Sequence, residues 1–156
     1  MKISFKAARM SDIETVVGFM RELFESDNPP PGKFFDRQQA VTAVANLLAK
    51  PLFGRIWLML DHNRPFGYIV LTLGYTLEYH GCDAFVDELY MQEPYRGRGI
   101  GTKALALVEE TCRELGVNAL HLEVERPNVM AQNFYRKNGF EDHDRYLMTK
   151  WLTNRS

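Results

Sequence analysis

Three runs of strand-type sequence follow one another between residues 54 and 91, with only short turn-forming stretches between them. Residues 54–61 and 65–77 are apolar, β-branched and aromatic, and Asp61-His62-Asn63-Arg64 between them has hairpin chemistry. Residues 84–91, Ala-Phe-Val-Asp-Glu-Leu-Tyr-Met, form the third run, and Pro94 stops it. Such a block must be covered by other elements, and the flanking sequence supplies them. Upstream, residues 2–8 alternate as a strand, with Ile3 and Phe5 opposite Lys2, Ser4 and Lys6. Ser11 stands at an N-cap position with Glu14 in capping-box register. Ile13, Val16, Val17, Met20, Leu23 and Phe24 then keep helical spacing to about residue 26. The prolines and glycine of 27–33 demand a loop, and 36–49 reads as a second helix. Downstream, 99–115 is a helix closed by Gly116, 118–124 a strand, 129–138 a helix closed by Gly139, and 140–151 a final strand. The expected order is βααβββαβαβ. Alternation of helices and strands in the second half favours one α/β domain over residues 1–156, a mixed sheet with helices on both faces.

The bulk properties narrow the function. A chain of 156 residues can bury a core without disulfides or metals. With 46% hydrophobic and 25% charged residues it is neither disordered nor fibrous. A net charge of −1 offers no basic field to a nucleic-acid backbone. The two cysteines, Cys82 in a loop and Cys112 on a helix, make no framework and no metal spacing. No apolar run nears the ~20 residues that span a bilayer, and the N-terminus has no signal-peptide h-region. A cytoplasmic domain is the expectation.

The most informative segment is Arg96-Gly97-Arg98-Gly99-Ile100-Gly101, between a strand and a helix. Glycine uncovers backbone N–H groups and allows a ligand to approach the main chain. The next helix points unpaired donors at the same place, and Arg96 and Arg98 add charge-assisted ones. Physically this is a pyrophosphate cradle; the bland reading is a tight turn that lets strand and helix pack closely. It is not the dinucleotide fingerprint, because Thr102 stands where the third glycine belongs, and Gly97 and Thr102 do not fit P-loop spacing. A second segment runs Leu122, Val124, Asn128, Ala131, Tyr135, Gly139, Phe140 from strand through helix to strand. Asn128, Ala131 and Tyr135 fall at i, i+3 and i+7, so one helix face presents an amide, a gap and a phenol.

Together, Arg96, Gly99 and Gly101 in Arg-x-x-Gly-x-Gly, and Asn128 to Phe140 in Asn-x-x-Ala-x-x-x-Tyr-x-x-x-Gly-Phe, resemble the two signature motifs of GNAT acyltransferases. The strand Asp87-Glu88-Leu89-Tyr90-Met91 also resembles that family's central strand, where a bulge and a splay open a V-shaped cleft. Its sequence looks closest to the branch acting on small amines, diamines included. The resemblance implies that acetyl-CoA is the acyl donor. The main chain of Leu89, Tyr90 and Met91 would pair with its pantetheine arm. The amides of Arg96, Gly97, Arg98, Gly99, Ile100, Gly101 and Thr102 would hold its pyrophosphate. Asn128, with Ala131 beside it, would face pantetheine, and Tyr135 would stand beside the sulfur. A homodimer is compatible with the family and with Tyr146 and Trp151 near the C-terminus.

Transfer to an amine needs more. An alkylamine has a pKa of about 10, so a base must take its proton. Glu88 is the first candidate, working through a water, with Asp87 as substrate anchor. Strand alternation puts the two on opposite faces unless a bulge re-aims one. Glu78 and Glu123 are further carboxylates for a cationic substrate, and Phe34, after the prolines, is a candidate lid. Each carboxylate could equally be a solvated strand-edge group. No metal is expected: His121, Glu123 and Glu125 share a strand face but read as a polar sheet surface. The alternatives are a protein or peptide N-acetyltransferase, which would need an open groove, and an acyl-CoA sensor without turnover.

Overall fold

The computed structural model describes residues 1–153. The elements in chain order are β1 (Ile3–Ala7), a 3-10 turn (Met10–Asp12), α1 (Ile13–Ser26), α2 (Arg37–Ala49), β2 (Gly54–Asp61), β3 (Arg64–Thr76), β4 (Gly81–Met91), a 3-10 turn (Glu93–Tyr95), α3 (Ile100–Glu114), β5 (Ala119–His121) and α4 (Val129–Lys137). The five strands form one sheet in sequence order. β1 to β4 are antiparallel neighbours, and β5 lies parallel to β4. The β2–β3 hairpin turns at His62 and Asn63, both at positive φ (45° and 66°), as a two-residue primed turn requires.

Each sheet face carries its own core. On one side Ile56, Leu58, Leu60, Tyr68 and Val70 pack with Val16, Val17 and Phe19 of α1 and Ala40 and Val44 of α2. On the other, Trp57, Met59, Ile69, Leu71, Ala84 and Val86 pack with Ile100, Ala104, Leu105 and Val108 of α3. Helices therefore cover both faces, as the alternating pattern implied. No helix among the described residues is long and apolar enough to cross a membrane.

Local readings depart from the structure at four places. Ser11 does not cap α1; the Asp12 carboxylate does local work instead, accepting from the Arg9 N–H at 2.8 Å and the Lys6 ammonium at 3.1 Å. Glu14, freed from a capping box, pairs with Arg37 of α2. Cys82 lies on β4 rather than in a loop. Residues 140–151 form no strand, and β5 stops at His121. A strand needs a ladder partner, and β5 offers only three paired residues. Ion pairs hold the segment instead: Asp142 with Arg136 (2.6 Å) and Arg145 with Glu78 (2.8 Å).

Candidate active site

Pairing between β4 and β5 covers only Asp83 to Phe85 against Ala119 to His121. Beyond Phe85, β4 continues to Met91 paired with β3 alone. A gap opens there between the two strands, and the backbone bordering it has a definite polarity. The Gln92 N–H donates to the Phe66 carbonyl at 2.9 Å, so position 92 faces β3. Alternation in an antiparallel ladder then turns Tyr90 to β3 as well, and turns the N–H and C=O of Leu89 and Met91 toward the gap. Of the three residues expected to offer main chain to a ligand, Leu89 and Met91 have theirs turned to the gap. The Tyr90 backbone is turned to the ladder.

A bulge decides which carboxylates reach the gap. Val70 pairs with Glu88 but Leu71 with Val86, leaving Asp87 as the extra residue. Ala84 and Val86 before it face α3, and so do Leu89 and Met91 after it. Glu88 and Tyr90 consequently share the α1 side. In a regular strand Glu88 would have pointed into the α3 core with Val86. Its Oε1 instead accepts from the fully buried Tyr68 hydroxyl at 2.8 Å. Burial raises the Glu88 carboxyl above the usual range, the Tyr68 hydrogen bond opposes that, and Asp87 and Asp27 reinforce it. Asp87 itself is exposed.

The same face holds a polar cluster that sequence patterning did not single out. Glu22 of α1 accepts from the Tyr90 hydroxyl (3.1 Å) and from the Gln92 amide (3.2 Å). The Arg96 guanidinium lies over the Tyr90 ring, 5.6 Å from its centroid. For Tyr68 a signal was present, since a tyrosine inside the apolar run 66–71 must find its hydroxyl a partner. For Glu22 there was none, because its partners lie 68 and 70 residues away.

On the α3 side the glycine loop separates into two roles. Gly97 and Gly99 adopt positive φ (71° and 78°), with nothing within 4 Å of where a Cβ would stand. That backbone aims into open space, beside the first turn of α3, where Ile100, Gly101 and Thr102 have N–H groups without helical acceptors. The Ile100 side chain is buried and anchors the turn. Arg96 and Arg98 are steadied by their Nε atoms, which donate to the Met91 and Pro94 carbonyls at 2.9 Å each. Gly101 differs: a Cβ there would stand 2.9 Å from Cζ of Phe134, so it admits α4. Phe134 meets Tyr135 edge-on at 5.1 Å, and Tyr135 meets Phe140 at 5.7 Å. Helix packing thus seats Tyr135 one ring away from the glycine loop. Burial raises its phenol, and among the described residues the hydroxyl has no hydrogen-bond partner.

The remaining expected residues are placed less centrally. The Asn128 Oδ1 caps α4 by accepting from the Ala131 N–H at 3.1 Å. Ala131 is half-buried, one turn before Tyr135. Both Glu78 oxygens are taken by Arg145 at 2.8 Å, and those hydrogen bonds hold the carboxyl below its usual range. Glu123 is exposed. His121 lies 3.3 Å from the Asp83 carboxylate, between Tyr79 and Phe85. Phe34 is 80% exposed, while its neighbour Phe35 packs on Phe24 at 5.9 Å and under Arg21.

The fold has known counterparts. The chain is similar to integron cassette protein HFX_CASS3 from a salt-marsh metagenome, with a TM-score of 0.84 and 34% identity over 97% of this chain and 91% of that one. It shares its fold with a predicted acetyltransferase of Clostridium acetobutylicum solved with acetyl-CoA (TM-score 0.82, 19% identity, 95% and 96% covered). In sequence it is 33% identical to the thialysine N-epsilon-acetyltransferase of Mus musculus over 78 residues, 46% of each chain. The matched stretches take in less than half the length of the first curated relatives. Residues 17–140 match the Acetyltransferase (GNAT) family, a span that takes in both core layers, the glycine loop and Tyr135. The chain belongs to that family.

Proposed function

We propose that this protein is an acetyl-CoA-dependent N-acetyltransferase that modifies a primary amine on a small cationic molecule by direct attack in a ternary complex. One observation carries the reading. A gap opens beside β4 where Leu89 and Met91 turn their backbone outward, the glycine loop follows at the head of α3, and Tyr135, whose hydroxyl has no hydrogen-bond partner among the described residues, packs on the same core as Leu89 and Met91. The donor set fits the group: glycines at positive φ with no atoms over them, free helix amides and two tethered arginines suit a pyrophosphate. Leu89 and Met91 suit the amides of a pantetheine arm, and Ala131 leaves room along α4. Acetyl-CoA supplies the activated acetyl group when bound.

The chain's own groups do the rest. Glu88, on the α1 side, takes the amine proton through a water. Tyr135, on the α3 side, keeps its proton because burial raises it, and can give that proton to a departing thiolate. A backbone N–H at Met91 steadies negative charge on the acetyl oxygen, an effect worth roughly 3 kcal/mol in comparable sites. Glu22, Asp27, Asp87 and Glu88 give the acceptor side a negative field suited to a cation. Phe34 serves in this reading as a lid over the acceptor and Glu123 as a further carboxylate for it; Glu78, with both oxygens bound by Arg145, is the least available of the expected carboxylates.

The decisive test is calorimetric titration of acetyl-CoA into wild type and Gly99→Glu, followed by thiol release with a panel of amines. Micromolar binding lost in the variant, with turnover on small diamines, supports the reading. Binding without turnover on any amine or peptide would make the protein a sensor, and turnover on peptides alone a protein acetyltransferase. No binding to wild type would reduce the loop to a packing turn.

The reading extends to assembly and compartment. Leu147, Met148 and Leu152 are 73%, 89% and 88% exposed on a segment without a ladder, while β5 is an open sheet edge. One copy therefore offers the strand that another copy's edge can take, which closes as a homodimer. The free thiols Cys82 and Cys112 suit the reducing cytoplasm.

A further inference from the structure

Tyr68 is among the largest fully buried side chains of the molecule, and nothing about packing requires its hydroxyl. It lies on β3, stacked on Phe19 of α1 with ring centroids 6.1 Å apart and planes 10° from parallel. A phenylalanine would make that stack equally well. The hydroxyl has one visible use, the 2.8 Å hydrogen bond it donates to Glu88. That contact exists only because Asp87 bulges. Tyr68 pairs with Tyr90 and Val70 with Glu88, so after the bulge Glu88 stands on the Tyr68 face, diagonal to it. Without the bulge the carboxylate would turn to the other face and leave a buried phenol unsatisfied, which is strongly disfavoured.

We propose that Tyr68 is the positioning residue for Glu88: from inside the α1 core it holds the carboxylate in one orientation at the acceptor side of the gap and keeps it available as a base. The inference rests on Glu88 taking the amine proton. The groups facing Glu88 define its setting. Asp87 adjoins it on β4, and Asp27 lies at the end of α1. Beyond them on the same face, Tyr90 is bonded to Glu22. Burial and both aspartates favour the protonated carboxyl, and the Tyr68 hydrogen bond favours the ionised one. Among the described residues, Tyr68 is the single neighbour that counters the others. Removing its hydroxyl leaves the carboxyl protonated to higher pH, so the base is lost over a range where wild type works.

The experiment is a pH profile of kcat/KM, with acetyl-CoA and the best amine, for wild type, Tyr68→Phe and Glu88→Gln. Tyr68→Phe is expected to move the acid limb toward alkaline pH and to lower the rate about tenfold on that limb. The rate should recover toward wild type at high pH, and the KM for acetyl-CoA should stay unchanged. Glu88→Gln should give a low rate without that limb. A Tyr68→Phe profile that superimposes on wild type, while Glu88→Gln is inactive, overturns the role of Tyr68 and leaves the base assignment standing. A fully active Glu88→Gln that keeps the limb removes the base assignment instead, and the proposal with it. Should Tyr68→Phe fail to fold, Glu88→Asp draws the carboxylate one methylene from the hydroxyl. It is expected to give the same alkaline movement, and an unmoved limb there also overturns the proposal.

Discussion

Gly99 and Gly101 stand two positions apart in one motif and are glycine for different reasons. Gly99 is held at φ 78° with open space above it, so its side chain is excluded by backbone conformation. Gly101 is helical, and its side chain is excluded by Phe134. Gly101→Val should therefore destabilise the fold by about 2 kcal/mol through overpacking, and Phe134→Leu should recover part of that loss in urea unfolding. Equal stability of Gly101→Val and wild type would dismiss the packing role. Glu88 makes a different kind of prediction. Its folded-state carboxyl is raised, so the folded chain binds a proton more readily than the unfolded one. That contribution is present at pH below the unfolded value and is lost as pH rises through the raised folded value. Above it the fold carries a partly buried charge that glutamine would not. Glu88→Gln should melt at a higher temperature than wild type at pH 8, with the gap closing on acidification, while activity falls roughly 10²-fold or more. A variant less stable at every pH would contradict the burial argument.

The bulge is the corresponding device at the level of the element. It reverses the facing of everything after Val86, which lets apolar Leu89 and Met91 join the α3 core while Glu88 and Tyr90 turn to α1. Deleting Asp87 removes the extra residue yet keeps Val86, Glu88, Leu89 and Tyr90 on their present faces, because the two-residue period is then satisfied directly. The deletion should fold, with its melting temperature within a few degrees of wild type. Its activity should nonetheless drop by roughly 10²-fold, since displacements of about 1 Å carry penalties of that order at reacting groups. An active deletion variant would show the bulge to be incidental. The bulge was foreseeable only as a contingency. Nothing in Ala-Phe-Val-Asp-Glu-Leu-Tyr-Met marks which residue is extra, because that depends on register with β3. The caps of α3 and α4 were plainer: Gly116 and Gly139 take positive φ just past the helix ends, as their positions demanded.

For the whole molecule, the exposed apolar side chains after Tyr146 set the testable expectation. Light scattering should give twice the chain mass at micromolar concentration, and Met148→Asp, at a position 89% exposed, should give a monomer with unchanged circular dichroism. A wild-type monomer throughout would leave that segment to some other purpose. What the sequence determined by itself was local and periodic. Alternation and helical spacing gave the order of elements as far as α4, and turn chemistry placed the 62–63 hairpin. The glycine loop, Asn128 and Tyr135 marked the head of α3 and a face of α4, because those features depend on neighbours within a few residues. The tertiary structure decided what depends on partners far along the chain. It shifted β4 by one residue against β3 and joined Tyr68 to Glu88 and Glu22 to Tyr90. It gave Glu78 to Arg145, and it withheld a ladder from residues 140–151. Strand pairing and buried hydrogen bonds are contacts between distant residues, and no local pattern in a single chain encodes which of the available partners will be met.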